Sequence, residues 1–235
     1  MLRADFLAER ATGVGSSDIA SVLNLGYGCA LRLYRQKTGE VPDFPREDTD
    51  LMALGNLLEP FFAAKYAKAT GHKVEIVGVQ RDPEHPELLV HADRIITDPA
   101  MPNRKGVLEV KSVGAEVFYS VRKKGLVPDY LLQLQYGMAV WRLDWGAFVI
   151  GCRDNGKEVH WPVKRDEELC EIITDRTLAA WQAIQDRNPP ARLDPDDDRC
   201  QKCEYRRSCQ GNALMAAQNP KEKVPDDEGM RPLLV

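Results

Sequence analysis

The sequence predicts an α/β fold with a central mixed β-sheet flanked by helices, together with a cysteine-bound metal cluster, and three observations support this prediction. Helical patterns fill residues 1–71, and short β-branched segments then alternate with helical ones, an order typical of one layered α/β domain. The 235 residues are 43% hydrophobic, which is enough to bury a sizeable core. Near the C-terminal end, Cys200, Cys203 and Cys209 fall within ten consecutive positions and predict that a bound metal fastens this region of the chain.

The first 71 residues are predicted to be helical, with glycine and proline marking the boundaries. A glycine-rich turn at residues 12–18 leads into a short helix that either serine or Asp18 can cap. Gly39 and Gly71 end the two helices that follow, and Pro60 predicts a kink or a restart inside the second. The longer predicted helices cover residues 2–10, 29–38 and 50–70.

The next region of the chain, up to residue 185, alternates strands and helices. The turn at residues 154–156 joins two strands as a hairpin, and the prolines at 189–190 stop the last helix. The predicted strands cover residues 74–80, 88–97, 107–113, 147–152 and 159–163, and the helices cover 116–124, 128–142 and 167–185.

We therefore expect three regions along the chain. Residues 1–188 form the core, whose helical segment (residues 1–71) carries Cys29, residues 189–211 form a linker with the clustered cysteines, and residues 212–235 form a polar tail. No stretch approaches the roughly 18 apolar residues of a membrane span, and the N-terminus lacks a signal-peptide core, so we expect a cytoplasmic protein. A net charge of −4 argues against a protein that coats nucleic acid non-specifically, but it does not exclude a nuclease.

Three ionisable residues on neighbouring predicted strands form the main candidate site. Asp93 lies in or at the end of one strand, and Glu109 and Lys111 lie two positions apart on the next. Residues two apart share one face of a strand, so Glu109 and Lys111 point the same way. Charges in a central strand are costly unless they have a role, and a divalent cation bound by the two carboxylates would supply one. Alternatively, the strand lies at a sheet edge and exposes a Glu–Lys pair.

Two further polar residues interrupt apolar helical stretches. Glu59 lies among the leucines and phenylalanines of the predicted helix 50–70, and Gln133 lies with Gln135 in the predicted helix 128–142. Each is either a member of an ordinary polar helix face or a group that reaches the metal site.

Together these residues resemble the PD-(D/E)xK nuclease superfamily, and most of all the branch of phage lambda exonuclease and the YqaJ-type viral recombination nucleases. The resemblance covers residues 10–139, and none of its pieces is specific alone, but five in the right order are. In chain order the pieces are Arg10 with Ser17, Gly55 with Glu59, Asp93, Glu109 with Lys111, and Gln133 with Gln135, Tyr136 and Met138.

The resemblance implies a restriction-endonuclease-like core and a metal-dependent DNA exonuclease. In such a nuclease, Asp93 and Glu109 would bind Mg²⁺ or Mn²⁺, with the Val110 carbonyl as a further ligand. Lys111 would serve the attacking water. Two other residues would complete the catalytic site: Glu59 and Gln133.

The same resemblance implies how the enzyme meets DNA. Arg10 and Ser17 would bind a 5′-terminal phosphate, which implies 5′→3′ degradation of linear ends in phage-type recombination or DNA repair. A single-strand annealing protein would be its partner, and the ring-shaped trimer of the lambda relative makes a homo-oligomer an open expectation.

The clustered cysteines have the pattern C-x2-C-x-Y-x3-C, for which a zinc site is the general default. The pattern also resembles the iron–sulfur motif of CRISPR-associated spacer-processing nucleases and AddB-type helicase–nucleases. That resemblance implies a [4Fe–4S] cluster bound by Cys200, Cys203, Cys209 and one upstream cysteine, for which Cys29 is the candidate. Such a cluster would fasten the two ends of the chain together.

The remaining cysteines and the competing functions stay open at this point. Cys152 and Cys170 lie in apolar segments and are expected to be core residues. The alternatives to an exonuclease are a CRISPR-type spacer-processing or endonucleolytic nuclease and, in a different class, a zinc-stapled DNA-binding module without catalysis.

Overall fold

The computed structural model describes residues 8–44 and 49–211. The described residues form two compact units, with residues 8–41 and 49–191 in the first and residues 42–44 and 192–211 in the second. Most of the predicted helix 2–10 and all of the tail 212–235 lie outside the described residues, and the predicted boundary after residue 188 stays a prediction. No described helix is both long and apolar enough to cross a membrane.

The predicted strands and helices occur in the predicted order. The strands of the described residues are β1 (Val14–Gly15), β2 (Lys73–Glu75), β3 (Gln80–Arg81), β4 (Leu88–Val90), β5 (Arg94–Thr97), β6 (Lys105–Val113), β7 (Trp145–Cys152) and β8 (Glu158–Lys164). The helices with both ends described are α1 (Ile19–Val22), α2 (Ala30–Lys37), α3 (Asp50–Thr70), α4 (Ala115–Lys124), α5 (Pro128–Trp141), α6 (Glu167–Gln185), α7 (Asp198–Gln201) and α8 (Arg206–Gln210). Of these elements, β1, α7 and α8 are additions that the sequence did not predict.

Five strands form the central sheet in the order β2–β5–β6–β7–β8. The β6–β7 pair is parallel and the other neighbouring pairs are antiparallel, so the predicted mixed sheet is confirmed. Because β6 has a partner on each side, it is not an edge strand. The alternative in which an edge strand merely exposes Glu109 and Lys111 is therefore excluded.

Two of the predicted strands are wrong in their extent. The segments 74–80 and 88–97 each divide into two short strands, and only β2 and β5 belong to the central sheet. The other two pieces, β3 and β4, form a second sheet with β1 in the order β1–β4–β3. The sequence does not mark the divisions because apolar residues that suit a strand occur in both halves of each segment, and the strand partners decide the sheet to which each half belongs.

Helix α3 crosses Pro60 without a break, so the predicted restart does not occur. It begins after Thr49, whose side chain accepts a hydrogen bond from the Met52 N–H, and it ends at Gly71 in the left-handed conformation. Helix α6 has the predicted bounds, and Asp166 caps its first turn.

The two faces of β6 contact two separate regions of the core. Val107 belongs to the cluster that contains α5, whereas Leu108 and Val110 face the other way and pack with Phe62 and Tyr66 of α3. The alternation of a strand thus fixes which layer each β6 side chain enters.

Candidate active site

Glu109 and Lys111 point to the same face of β6, as their spacing predicts. Their neighbours Leu108 and Val110 pack on the opposite face. The Glu109 side chain is buried, and its Oε1 lies 2.5 Å from the Lys111 Nζ. A buried carboxylate at this position needs a charged partner, and Lys111 supplies one.

Gln133 of α5 joins this pair. Its Nε2 donates to the Glu109 Oε1 at 2.6 Å, and its Oε1 accepts from the Lys111 Nζ at 3.2 Å. The amide therefore orients both charged groups at once, because it offers a donor and an acceptor on one rigid group. The structure places Gln133 at the site that the sequence predicts for it.

Asp93 lies in the short link between β4 and β5, not within a strand. Its Oδ2 accepts a hydrogen bond of 2.7 Å from the Val110 N–H. Since Arg94 pairs with Leu108 across β5 and β6, the antiparallel register places Asp93 beside Glu109. The pairing of β5 with β6 thus brings the Asp93 and Glu109 carboxylates together.

The charged groups of the site shift one another's pKa. Burial raises the pKa of Asp93 well above its usual value, and the nearby Glu109 carboxylate raises it further. Burial opposes a charge on Lys111, but the Glu109 and Asp93 carboxylates outweigh it and raise the pKa of the ammonium. The protein thus holds two repelling carboxylates at one place, with one lysine to balance them.

These residues fit a magnesium ion. Among the described residues, no group of three or more His, Cys, Asp or Glu side chains is close enough to hold a metal. Mg²⁺ does not require such a group, because one or two carboxylates and several waters are its usual ligands in enzymes that act on phosphates. A cation bound by both Asp93 and Glu109 would relieve the repulsion between the two carboxylates.

Glu59 lies at the margin of this cluster, paired with an arginine. The Arg94 Nη1 lies 2.5 Å from the Glu59 Oε1 and also donates to the main-chain carbonyl of Asp93. Arg94 therefore links α3 to the Asp93 segment, a role that the sequence did not indicate. Its position directly after Asp93, at the start of a β-branched strand, is the one signal that could have pointed to it.

The predicted phosphate-binding residues flank a buried ionic cluster at the N-terminal turn. The Arg10 Nη2 lies 2.5 Å from the Asp18 Oδ1, and the Lys37 Nζ lies 2.9 Å from the Asp18 Oδ2 and 2.5 Å from the Arg10 carbonyl oxygen. Ser17 is exposed beside Asp18. The sequence indicated Asp18 as a helix cap and as the end of the motif that contains Arg10 and Ser17, but it did not indicate Lys37, whose partner Asp18 lies 19 positions away.

The cysteines lie in both units. In the first unit, Cys29 is the residue before α2. In the second unit, Cys200 lies in α7 and is buried, Cys203 follows it, and Cys209 lies in α8. The absence of any metal-holding group among the described residues applies to these cysteines as well, so the predicted cluster stays a prediction.

Cys152 and Cys170 are buried in the first unit. Cys152 belongs to the core cluster around α5, and the Cys170 thiol contacts the Gln135 carbonyl oxygen at 3.3 Å. Both positions agree with the core role expected for these two cysteines.

Known proteins resemble this chain in sequence and in fold. The family of YqaJ-like viral recombinase domains matches residues 5–144. The uncharacterised protein YqaJ of Bacillus subtilis is 28% identical over 188 residues, which cover 77% of this chain and 56% of that protein. The chain thus spans just over half the length of this relative.

Solved exonuclease structures share the fold. The alkaline exonuclease LHK-Exo of Laribacter hongkongensis superposes with a TM-score of 0.65 at 23% identity, over 79% of this chain and 94% of that one. Its complex with dAMP superposes with a TM-score of 0.66 at 22% identity and the same coverage. A phage-related exonuclease from Haemophilus somnus has a TM-score of 0.53 at 16% identity, over 74% of this chain and 94% of that one. At such identities the likeness concerns the fold.

Proposed function

We propose that this chain, which belongs to the family of YqaJ-like viral recombinase domains, is a metal-dependent DNA exonuclease that acts in phage-type recombination or repair. The observation that carries the proposal is the cluster of Asp93, Glu109, Lys111 and Gln133 on one face of the central sheet. The exonucleases that share the fold support it.

Each residue of the cluster has a distinct role in phosphodiester hydrolysis. Asp93 and Glu109 would hold Mg²⁺ or Mn²⁺ together with the Val110 carbonyl. A bound Mg²⁺ supplies Lewis acidity toward the scissile phosphate and lowers the pKa of a coordinated water. The Lys111 ammonium orients the attacking water and balances the negative charge. Gln133 holds the side chains of Lys111 and Glu109 in position through its two hydrogen bonds.

Two residues outside the cluster support it from α3 and β5. Arg94 ties the Asp93 main chain to Glu59, so the Asp93 segment cannot shift without breaking that ion pair. We propose that Glu59 completes the catalytic site, and that Arg94 controls the orientation of the Glu59 side chain.

A nuclease assay with matched variants tests the proposal. We expect the protein with Mg²⁺ to release nucleotides from linear duplex DNA, and chelation to stop the release. Asp93→Asn, Glu109→Gln and Lys111→Met should each lower the rate by about 100-fold or more. Lys73→Met and Glu75→Gln are matched controls, since they form an exposed Lys–Glu pair two apart on β2, and they should retain the wild-type rate.

Three outcomes of this assay contradict the proposal in different ways. Wild-type rates in all three cluster variants would exclude the cluster as the active site. Equal rates on linear and circular DNA would support an endonuclease of the spacer-processing kind. DNA binding without any hydrolysis would support the non-catalytic binding module.

We further propose 5′→3′ polarity, with Arg10 and Ser17 as the binding site for a 5′-terminal phosphate. The ion pair of Arg10 with Asp18 and the hydrogen bond from Lys37 to the Arg10 carbonyl oxygen support a fixed Arg10, and Ser17 is exposed next to Asp18 in the sequence. Duplexes that differ only in their 5′-phosphate provide the test. Wild type should degrade the phosphorylated end faster, Arg10→Gln should lose the preference, and equal wild-type rates on both ends would refute this assignment.

The finer cofactor proposal concerns the cysteines. We propose that Cys29, Cys200, Cys203 and Cys209 bind a [4Fe–4S] cluster, on the support of their number and spacing. Anaerobically purified protein should contain about four irons and four sulfides per chain. Serine at any of the four positions should lower both, whereas Cys170→Ala should not. One zinc per chain instead of iron would refute the iron–sulfur cluster and would support a zinc site at these cysteines.

An annealing protein and a homo-oligomer remain proposals of the same kind. Both follow from the family and not from a contact in the described residues. Light scattering of the purified chain, alone and with a single-strand annealing protein, distinguishes a monomer from either assembly.

A further inference from the structure

Tyr130 of α5 lies against the ammonium of Lys111. The Lys111 Nζ is 5.7 Å from the centroid of the Tyr130 ring, a distance within the range of cation–π attraction. Tyr130 precedes Gln133 by one helical turn, so the two side chains share a face of α5. That face is the one that Gln133 presents to Glu109 and Lys111.

The ring is held from behind by a second aromatic residue. The ring of Phe148 on β7 lies 6.3 Å from that of Tyr130, inclined by 34°. Phe148 is itself the β7 residue paired with Glu109 in the parallel β6–β7 register, and it is fully buried. The position of the Tyr130 ring is therefore fixed by the same strand pair that carries the cluster.

The Lys111 ammonium contacts three different side chains. Its oxygen partners are the Glu109 Oε1 at 2.5 Å and the Gln133 Oε1 at 3.2 Å, and the Tyr130 ring adds a π face. A flexible lysine held by oxygens alone can follow either acceptor, whereas a ring face as a third partner reduces the positions that the ammonium can take. Restricting a group near the reacting phosphate is a recognised source of rate enhancement.

We infer that Tyr130 is a positioning residue for Lys111, acting through its ring face and not through its hydroxyl. The inference rests on the proposed nuclease function and deepens it, because it assigns to α5 a second residue that controls the catalytic lysine. Tyr130 is not required to touch substrate or metal in this role.

The test separates the ring, the hydroxyl and simple packing. Tyr130→Phe keeps the π face and should retain kcat within about twofold, whereas Tyr130→Leu keeps an apolar side chain without a π face and should lower kcat by about tenfold with KM unchanged. Tyr119→Leu, at an exposed tyrosine of α4, is the control and should match wild type. In a Lys111→Met background, Tyr130→Leu should cause no further loss.

A series of fluorinated phenylalanines at position 130 keeps the test valid even where Tyr130→Leu does not fold. Successive fluorines weaken the negative ring face while the ring shape is nearly constant, so kcat should fall stepwise with the number of fluorines. A constant kcat along the series, or a Tyr130→Phe rate as low as that of Tyr130→Leu, would overturn the inference. An inactive wild-type protein would instead refute the proposed function itself, so the two failures are distinguishable.

Discussion

The substitution Asp93→Asn should abolish nuclease activity and yet stabilise the metal-free protein. The amide oxygen of asparagine can still accept the hydrogen bond that the Asp93 Oδ2 receives from the Val110 N–H at 2.7 Å. The substitution removes only the charge, which burial and Glu109 make unfavourable, as the raised pKa of Asp93 indicates. A residue kept for function at a cost in stability is expected to behave in this way.

The magnitude follows from the cost of a buried charge that is only partly compensated, because Asp93 and Glu109 share one lysine. Removing such a charge while its hydrogen bond is kept should raise the free energy of unfolding by about 1–3 kcal/mol. For a chain of this length, that gain corresponds to an increase in Tm of roughly 3–10 °C. Mg²⁺ at ten times its Kd would stabilise the wild type by about 1.4 kcal/mol, and this gain should be absent in the variant.

Thermal unfolding with and without Mg²⁺ measures both effects. Asp98→Asn is the matched control, because the Asp98 Oδ1 also accepts a backbone N–H bond, from Ala100 at 2.8 Å, but outside the cluster. A carboxyl with a raised pKa keeps more protons in the folded than in the unfolded state. The difference between Asp93→Asn and wild type should therefore shrink as the pH falls toward 3.8.

Two results would refute the reasoning. A metal-free Asp93→Asn protein that is less stable than wild type would mean that the charge is compensated by groups already present. An equal rise of Tm with Mg²⁺ in wild type and variant would mean that the ion binds elsewhere.

Three further predictions concern stability. Wild type should lose stability between pH 10 and about 12, because burial raises the pKa of Tyr66 to about 12 and the folded state keeps a proton that the unfolded state loses. Tyr66→Phe should lack this loss, and urea unfolding at several pH values measures it. Parallel curves of unfolding free energy against pH for variant and wild type would contradict the prediction. Lys37→Met should lower the free energy of unfolding in urea by about 1–3 kcal/mol, because it removes one of the two cations at the buried Asp18. A decrease below about 0.5 kcal/mol would contradict this prediction. Gly151→Ala should lower Tm in a thermal melt because its Cβ would lie 2.3 Å from the Phe62 ring, and an unchanged Tm would show that the ring moves freely aside.

The features of the site that the sequence predicts are those set by local spacing. Glu109 and Lys111 share a face because a strand has a period of two, and this holds in any sheet. Arg94 and Tyr130 escaped prediction because their roles depend on partners 35 and 19 positions away, Glu59 and Lys111. Such contacts arise only when α3 and α5 pack on opposite faces of the sheet.

The fold shows the same division between local and long-range information. The bounds of α6 follow from its own caps and its periodic apolar residues, and the sequence predicts them correctly. The sequence does not predict the break between β4 and β5, since apolar residues that suit a strand lie on both sides of it. The break follows from the way Asp93 turns toward the Val110 N–H, and from the pairing of β4 with β1 in another sheet.

The charges of the cluster explain why a divalent cation suits it better than a further lysine or arginine would. Asp93, Glu109 and Glu59 carry three negative charges when ionised, and Lys111 and Arg94 carry two positive ones, which leaves a net charge of −1. One more cationic side chain would make the site neutral and would give no attraction to DNA. A divalent cation makes it +1, which matches the single negative charge of the phosphodiester to be cleaved. In the proposed nuclease, the excess carboxylate would make the site depend on metal, and neutralising either Asp93 or Glu109 should weaken metal binding and DNA cleavage together.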